Sequence, residues 1–257
     1  MSWNPSQYLK FEQPRLRPAL ELLARVSLEA PRTVYDLGCG AGQLSRLMAE
    51  RWPKAQVTGV DASAAMLEQA GDARPNLRWQ QQDLAAWKAD TPADLIYSNA
   101  ALHWLHDHTA LFEHLMKQLA PGGVLAVQMP RNFAAPSHTS IADAVRSGPW
   151  RAKLEPLLRD KLPVEDPPWY YDLLAPLARD IDLWETEYHQ VLTGPDPVKE
   201  WTKGTWLSTF LNALDDPAER EAFERDYAAR VAVAYPMRAD GTTVFPFRRL
   251  FIVARRR

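Results

Sequence analysis

Short apolar runs alternate with four-spaced apolar positions from Thr33 to Val127. Thr33–Leu37, Gln56–Val60, Leu77–Gln82, Asp94–Ser98 and Val124–Val127 read as strands. Between them, Gln43–Trp52 predicts a helix burying Leu44, Leu47 and Met48 and ended by Pro53, and Ser63–Ala70 one with Ser63 as its N-cap. A further helix capped by Asp107 repeats Leu111, Leu115 and Leu119 every four residues. Upstream, Pro18 marks the first turn of a helix through Glu21–Ala24. Pro121-Gly122-Gly123 reads as a turn, and Val124–Val127 is apolar at every position, as a strand buried on both faces is. Five β–α alternations imply an α/β fold with a doubly wound, mostly parallel sheet.

The alternation stops near Pro130. Residues 131–180 are rich in Pro, Trp and Leu and read as short helices with long connections. Ile181–Leu192 predicts a sixth strand and Leu250–Ala254 a seventh. Asp196-Pro197 opens a helix; Asp216 with Pro217 and Glu219 forms a capping box for another, whose buried stripe is Phe223, Tyr227, Val231 and Tyr235. Asp240-Gly241 is a turn signal. The expected organisation is a nucleotide-binding core at 31–130, a helical cap over the site from 131–180 and 195–236 joined by the N-terminal segment 1–30, and the last strands at 181–194 and 242–257.

Composition narrows the function classes. In 257 residues, 46% are hydrophobic and 24% charged, as in an ordinary globular protein. The formal net charge of −2 gives no reason to expect a nucleic-acid partner. The basic run Arg255-Arg256-Arg257 reads as a solvated terminus. No apolar run approaches the ~18 residues of a membrane span, and Met1–Lys10 lacks the apolar core of a signal peptide. The single cysteine, Cys39, excludes an intrachain disulfide and suits a reducing compartment. A cytoplasmic monomer acting on a small molecule, with no membrane partner and no metal, is expected.

Candidate chemistry gathers at Val34-Tyr35-Asp36-Leu37-Gly38-Cys39-Gly40-Ala41-Gly42. A strand ending in an acidic residue breaks into a loop of alternate glycines, followed at once by a helix. Glycines permit positive φ and close approach of a ligand, and a helix start offers N–H groups. The spacing is not the dinucleotide Gly-x-Gly-x-x-Gly, because the third glycine would fall at Gln43, and no Gly-Lys-Ser/Thr is present. Asp61 ends the second strand, where a carboxylate can accept both ribose hydroxyls; Asp83 ends the third, where it can accept from an adenine amino group. Strand-end aspartates are common caps, but Asp36, Asp61 and Asp83 at three successive strand ends define one crevice.

This trio and its spacing resemble the class I S-adenosylmethionine-dependent methyltransferases, which implies a Rossmann-like seven-stranded sheet and S-adenosylmethionine as cofactor, with S-adenosylhomocysteine as product. By that resemblance Gly38, Gly40 and Gly42 lie beside the methionine part, Asp61 holds the ribose, Asp83 holds the adenine amino group, Asn99 and Ala100 border the sulfonium, and Trp104 and Tyr8 form walls around the cofactor; Asp36, Cys39, Ala62, Met66 and Leu84 complete the expected cofactor-binding set. Further motifs resemble the trans-aconitate 2-methyltransferases: Trp3-Asn4-Pro5, Tyr8-Leu9-Lys10-Phe11, Arg15, Arg17-Pro18-Ala19, Gly122–Pro130, Asn132, Pro136, His138, Ala234-Tyr235-Pro236, Asp240-Gly241 and Arg249–Ala254. The resemblance implies methyl transfer to a carboxylate of a di- or tricarboxylic acid, most simply trans-aconitate, or to another small acid or hydroxyl. Trp3, Arg17, Arg131, His138, Lys203, Trp206 and Arg249 are the expected substrate-binding residues.

A carboxylate of pKa near ~4 is ionised at neutral pH and needs no general base. His103 beside Trp104 would serve as a base only for a hydroxyl acceptor. The chain departs from the family pattern Trp-x-x-Gly-Thr-Gly-Leu-Arg-Pro: it reads Trp201-Thr202-Lys203-Gly204-Thr205-Trp206-Leu207-Ser208-Thr209. Arg131 and Arg248 stand where the family usually has Asp and Pro. Asp166-Pro167-Pro168-Trp169 resembles the catalytic tetrapeptide of adenine N6-methyltransferases, but it lies in a proline-rich connection far beyond the fourth strand.

Overall fold

A computed structural model describes residues 12–159 and 161–257. The expectations for Trp3 and Tyr8 therefore lie outside the described residues. Seven strands, β1 (Thr33–Leu37), β2 (Gln56–Asp61), β3 (Leu77–Gln81), β4 (Ala93–Asn99), β5 (Leu119–Pro130), β6 (Ala178–Leu192) and β7 (Thr243–Arg256), form one sheet in the order β3-β2-β1-β4-β5-β7-β6. The β1–β2, β2–β3, β1–β4 and β4–β5 pairings are parallel. The order reverses direction on either side of β1, which brings the carboxyl ends of β1, β2 and β4 together, as a doubly wound sheet requires.

Among the described residues the α-helices are α1 (Glu12–Arg25), α2 (Gln43–Arg51), α3 (Ala64–Ala70), α4 (His108–Gln118), α5 (Pro136–Ser147), α6 (Arg151–Leu154), α7 (Pro167–Leu174), α8 (Pro197–Lys203), α9 (Trp206–Leu211) and α10 (Pro217–Ala234). The chain divides into two compact units. One contains residues 16–130, 163–185 and 250–257; the other contains residues 131–162 and 186–249.

In the first unit Val34, Val57, Leu77, Leu95, Ile96, Leu125, Ala126 and Val127 are fully buried. Burial of these side chains, worth about 1.5–3 kcal/mol each, is what makes the near-continuous apolar strands stable. Four local expectations give way to tertiary packing. Pro18 lies inside α1 rather than at its start; Ala19, Leu22 and Leu23 are buried along the helix and offset the lost hydrogen bond. In α2 the buried face is Ser45, Met48 and Ala49, with Leu47 exposed, because Ser45 turns toward a buried carboxylate. In α4 Phe112, Leu115 and Met116 are buried instead of Leu111, and Leu119 already belongs to β5. Pro121-Gly122-Gly123 is a bulge within β5, not a turn before it: pairing advances from Ala93 to Leu95 on β4 but from Leu119 to Val124 on β5.

The second unit has its own core, in which Trp150 meets Phe223 edge-on at 5.4 Å and Trp201 meets Phe245 at 5.8 Å. Phe223, Tyr227 and Val231 are the buried stripe of α10. Asp216 caps α10 by accepting the Ala218 N–H at 3.0 Å, but Glu219 pairs with Lys153 at 2.5 Å instead of closing a capping box. Asp166 stands at the N-cap position of α7, with Pro167 in its first turn, so Asp-Pro-Pro-Trp is a helix start. No helix among the described residues is long and apolar enough to cross a membrane. Phe223→Ala is expected to lower stability by about 3–5 kcal/mol through the cavity it leaves, seen as a lower urea midpoint.

Candidate active site

β1 delivers the glycine loop, and protein neighbours dictate its shape. Gly38, Gly40 and Gly42 all have positive φ. A Cβ on Gly38 would stand 2.2 Å from the Ala101 Cβ; on Gly42 it would meet the Trp79 ring at 2.3 Å. Met66 lies against Gly40. Trp79, paired across the sheet with Gly59, donates its Nε1 proton to the Gly71 carbonyl at 2.8 Å. The glycines thus serve internal close packing as well as ligand approach.

The loop amides are also committed. Gly38 and Cys39 donate to the Val60 carbonyl at 2.8 and 3.0 Å, Gly40 to Asp61 Oδ2 at 2.9 Å, and Gly42 to the Cys39 carbonyl at 2.9 Å. These four N–H groups do not make a phosphate cradle, which agrees with the exclusion of a P-loop. The other oxygen of Asp61, Oδ1, accepts the Ser63 N–H at 2.9 Å. Asp61 therefore ties the loop to the start of α3, where Ala62 and the buried Met66 follow. Each carboxylate oxygen has a second lone pair for a ligand hydroxyl.

Asp36 lies beneath the loop, 2% exposed, and accepts the Ser45 hydroxyl at 2.5 Å. It supports the loop from within the sheet. Burial lifts its pKa to about 7, against the lowering effect of the Ser45 hydroxyl, and the nearby Asp61 charge adds to the rise. Burial, with the charges of Asp36 and Asp61, pushes the Cys39 thiol far up, so it stays protonated.

At the other strand ends, exposed Asp83 caps the 3-10 turn Leu84–Ala86 through Oδ1, accepting the Ala85 N–H at 2.9 Å. Leu84 lies near Gly38. Asn99 ends β4 with its Oδ1 buried and without a hydrogen-bond partner, and Ala100 follows at φ 54. An orphaned buried acceptor is costly, and a donor carried by a ligand would relieve it. His103, buried, and Trp104 occupy the next 3-10 turn with ring centroids 4.8 Å apart.

Of the residues expected at the acceptor, Arg17 belongs to this same unit and pairs with Glu21 at 2.8 Å on an exposed helix face. Arg131, His138, Lys203, Trp206 and Arg249 fall in the second unit. Lys203 shares Glu224 with Lys199, at 2.6 and 3.3 Å. Arg248 reaches Glu187 at 3.6 Å, and Arg131 donates its amide to the Arg248 carbonyl at 2.9 Å. Arg249 is buried with its guanidinium 4.9 Å from the Phe247 ring centre. His138 and Trp206 are brought together by Phe133, whose ring lies 5.0 Å from one and 5.6 Å from the other. Sequence reasoning missed Ser45 and Trp79, which shape the glycine loop; for Trp79 the signal was two glycines, Gly42 and Gly59, leaving room for a large ring.

A family model described as "Methyltransferase domain" matches residues 34–123. The chain is 48% identical over 253 residues to the trans-aconitate 2-methyltransferase of Azoarcus sp. (strain BH72), covering 98% of both chains. It is 43% identical to that of Agrobacterium fabrum, covering 99% of each. The chain belongs to the trans-aconitate 2-methyltransferase family. Membership accounts for a glycine loop followed by carboxylates at the next two strand ends. The fold is shared more widely: the YcgJ protein of Bacillus subtilis superposes with a TM-score of 0.57 at 16% identity, covering 94% of this chain and 99% of that one. A Haemonchus contortus phosphoethanolamine N-methyltransferase gives 0.54 at 15% identity, covering 94% and 53%.

Two outcomes test this geometry. Gly38→Ala should weaken S-adenosylhomocysteine binding at least ~10-fold by calorimetry, because it adds a steric clash to left-handed strain. Gly122→Ala, with equal φ and open space, should leave binding unchanged. For Asp36, a raised folded pKa means its contribution to stability is fully present below its unfolded value of 3.8 and is lost as pH rises through about 7. Asp36→Asn should therefore gain in melting temperature relative to the parent as pH is raised from acid to neutral. A difference that does not change with pH would refute the buried titration.

Proposed function

We propose that this protein transfers the methyl group of S-adenosylmethionine to a carboxylate oxygen of trans-aconitate, giving a monomethyl ester. What carries the reading is high identity to trans-aconitate 2-methyltransferases over nearly the whole chain, together with an intact loop and carboxylate set. The donor set fits the cofactor on its own chemistry: Asp61 for the ribose hydroxyls, Asp83 for the adenine amino group, and the orphaned Asn99 Oδ1 for a donor on the methionine part. When bound, S-adenosylmethionine supplies an electrophilic methyl group on a sulfonium centre.

The chain's own task is positional. An ionised acceptor needs no proton removed, so His103 has no base to be, and its buried place beside Trp104 suits a wall. Aligning oxygen and methyl group can contribute up to roughly 7–11 kcal/mol. Trp104 offers an aromatic face suited to a cationic sulfonium. The formal net charge of −2 and the free Cys39 support a small-molecule acceptor and a cytoplasmic setting.

The test is methyl transfer to a panel of di- and tricarboxylic acids, with the product checked for alkali lability. Trans-aconitate should be turned over to an alkali-labile ester, and no turnover of any carboxylic acid would sink the proposal. Asp83→Ala should raise KM for the methyl donor about 10-fold while leaving KM for the acid unchanged.

A further inference from the structure

The segment between β4 and α4 is strained at both ends. Among the described residues only three non-glycines have positive φ, and two of them, Ala100 at 54° and Asp107 at 50°, bracket this segment. A left-handed alanine persists only where its surroundings over-determine it. Ala101 stands so close to Gly38 that no Cβ fits there, and the turn Leu102–Trp104 follows directly. Ala100 donates its N–H to the Gln128 carbonyl at 2.9 Å. The Leu102 carbonyl takes the Leu105 N–H at 3.0 Å and meets His108 Nε2 at 3.1 Å.

The direction of that last bond is fixed. A carbonyl can only accept, so His108 Nε2 carries a proton whatever the charge on the ring. In the neutral ring Nδ1 then holds a lone pair, and the Tyr170 hydroxyl, 2.6 Å away, donates to it. The Tyr170 oxygen in turn accepts the Glu165 N–H at 3.3 Å. Both rings are buried, and Phe112 packs on both, 5.1 Å from Tyr170 and 5.6 Å from His108. Tyr170 reaches this place because Asp166-Pro167-Pro168-Trp169 starts α7, with the Trp169 N–H on the Asp166 carbonyl at 3.0 Å and its ring edge-on to Tyr170 at 5.0 Å. The tetrapeptide that resembles a catalytic motif thus delivers the residue after it to the back of the β4 turn. All of these groups belong to one compact unit.

We infer that His108 and Tyr170 are positioning residues for the methyl donor: the pair latches the Leu102 carbonyl and keeps the strained Asn99–Trp104 segment set against the glycine loop. This rests on the reading that Asn99, Ala100 and Trp104 border the cofactor. Neither His108 nor Tyr170 has to touch the ligand. Without the latch the segment must be ordered when the cofactor binds, and affinity falls by that cost.

Calorimetry with S-adenosylhomocysteine on the full chain tests the latch. His108→Leu, and Tyr170→Phe, which removes a single oxygen, should each weaken binding at least ~5-fold. The double variant should bind no worse than His108→Leu, because both residues act through one carbonyl. His108→Gln, whose side-chain amide can still donate to Leu102, should stay within ~3-fold of the parent. Leu115→Ala, at a buried position about two turns along α4, should lower the melting temperature yet leave binding within ~2-fold. Nitrogen-15 NMR of protein labelled at histidine, with His108→Gln identifying the signal, should show the ring proton on Nε2. Additive losses in the double variant, or a neutral ring protonated on Nδ1, would overturn the latch. Unchanged affinity in His108→Leu beside a parent that binds would sink this inference alone. A parent that does not bind S-adenosylhomocysteine would sink the cofactor assignment on which it rests.

Discussion

The Asp61 carboxylate is the constraint on which the nucleotide-binding end of the sheet depends. One oxygen holds the Gly40 amide and the other the Ser63 amide, so a single side chain at the end of β2 fixes the loop after β1 and the helix after β2. The Val60 carbonyl next to it takes two more loop amides. Removing that carboxylate would leave a loop of three positive-φ residues without its main tether. The lone pairs left on Asp61 are therefore presented from a rigid frame, so a ligand hydroxyl meeting them would face little ordering cost.

Beneath that frame Asp36 plays a different part from the one its place in the motif suggests. It faces inward, gripped by Ser45, and its pKa is raised to about 7 by burial. A carboxylate that is protonated over part of the physiological range keeps negative charge from accumulating beside Asp61.

The second unit works by a different economy. Its cations are mostly taken up by neighbouring carboxylates, as with Lys203 on Glu224 and Arg248 on Glu187.

The amino-acid sequence alone determined the strands of the sheet, the glycine loop, the two strand-end carboxylates and the family to which they belong. These are local: apolar runs, positive-φ glycines and caps depend on residues close in the chain. It misread Leu47, Leu111, Pro18 and the Pro121-Gly122-Gly123 bulge, because which face of a helix is buried, or how a strand bends, is set by the partner it packs on. The orientation of the Asn132 side chain was beyond any local reading, since it is held by an amide 116 residues away. The contact of Arg159 with Trp206 likewise joins separate parts of the chain. Tertiary structure decided which polar groups are oriented, neutral or paired, because burial and long-range contact set those properties and chain order does not.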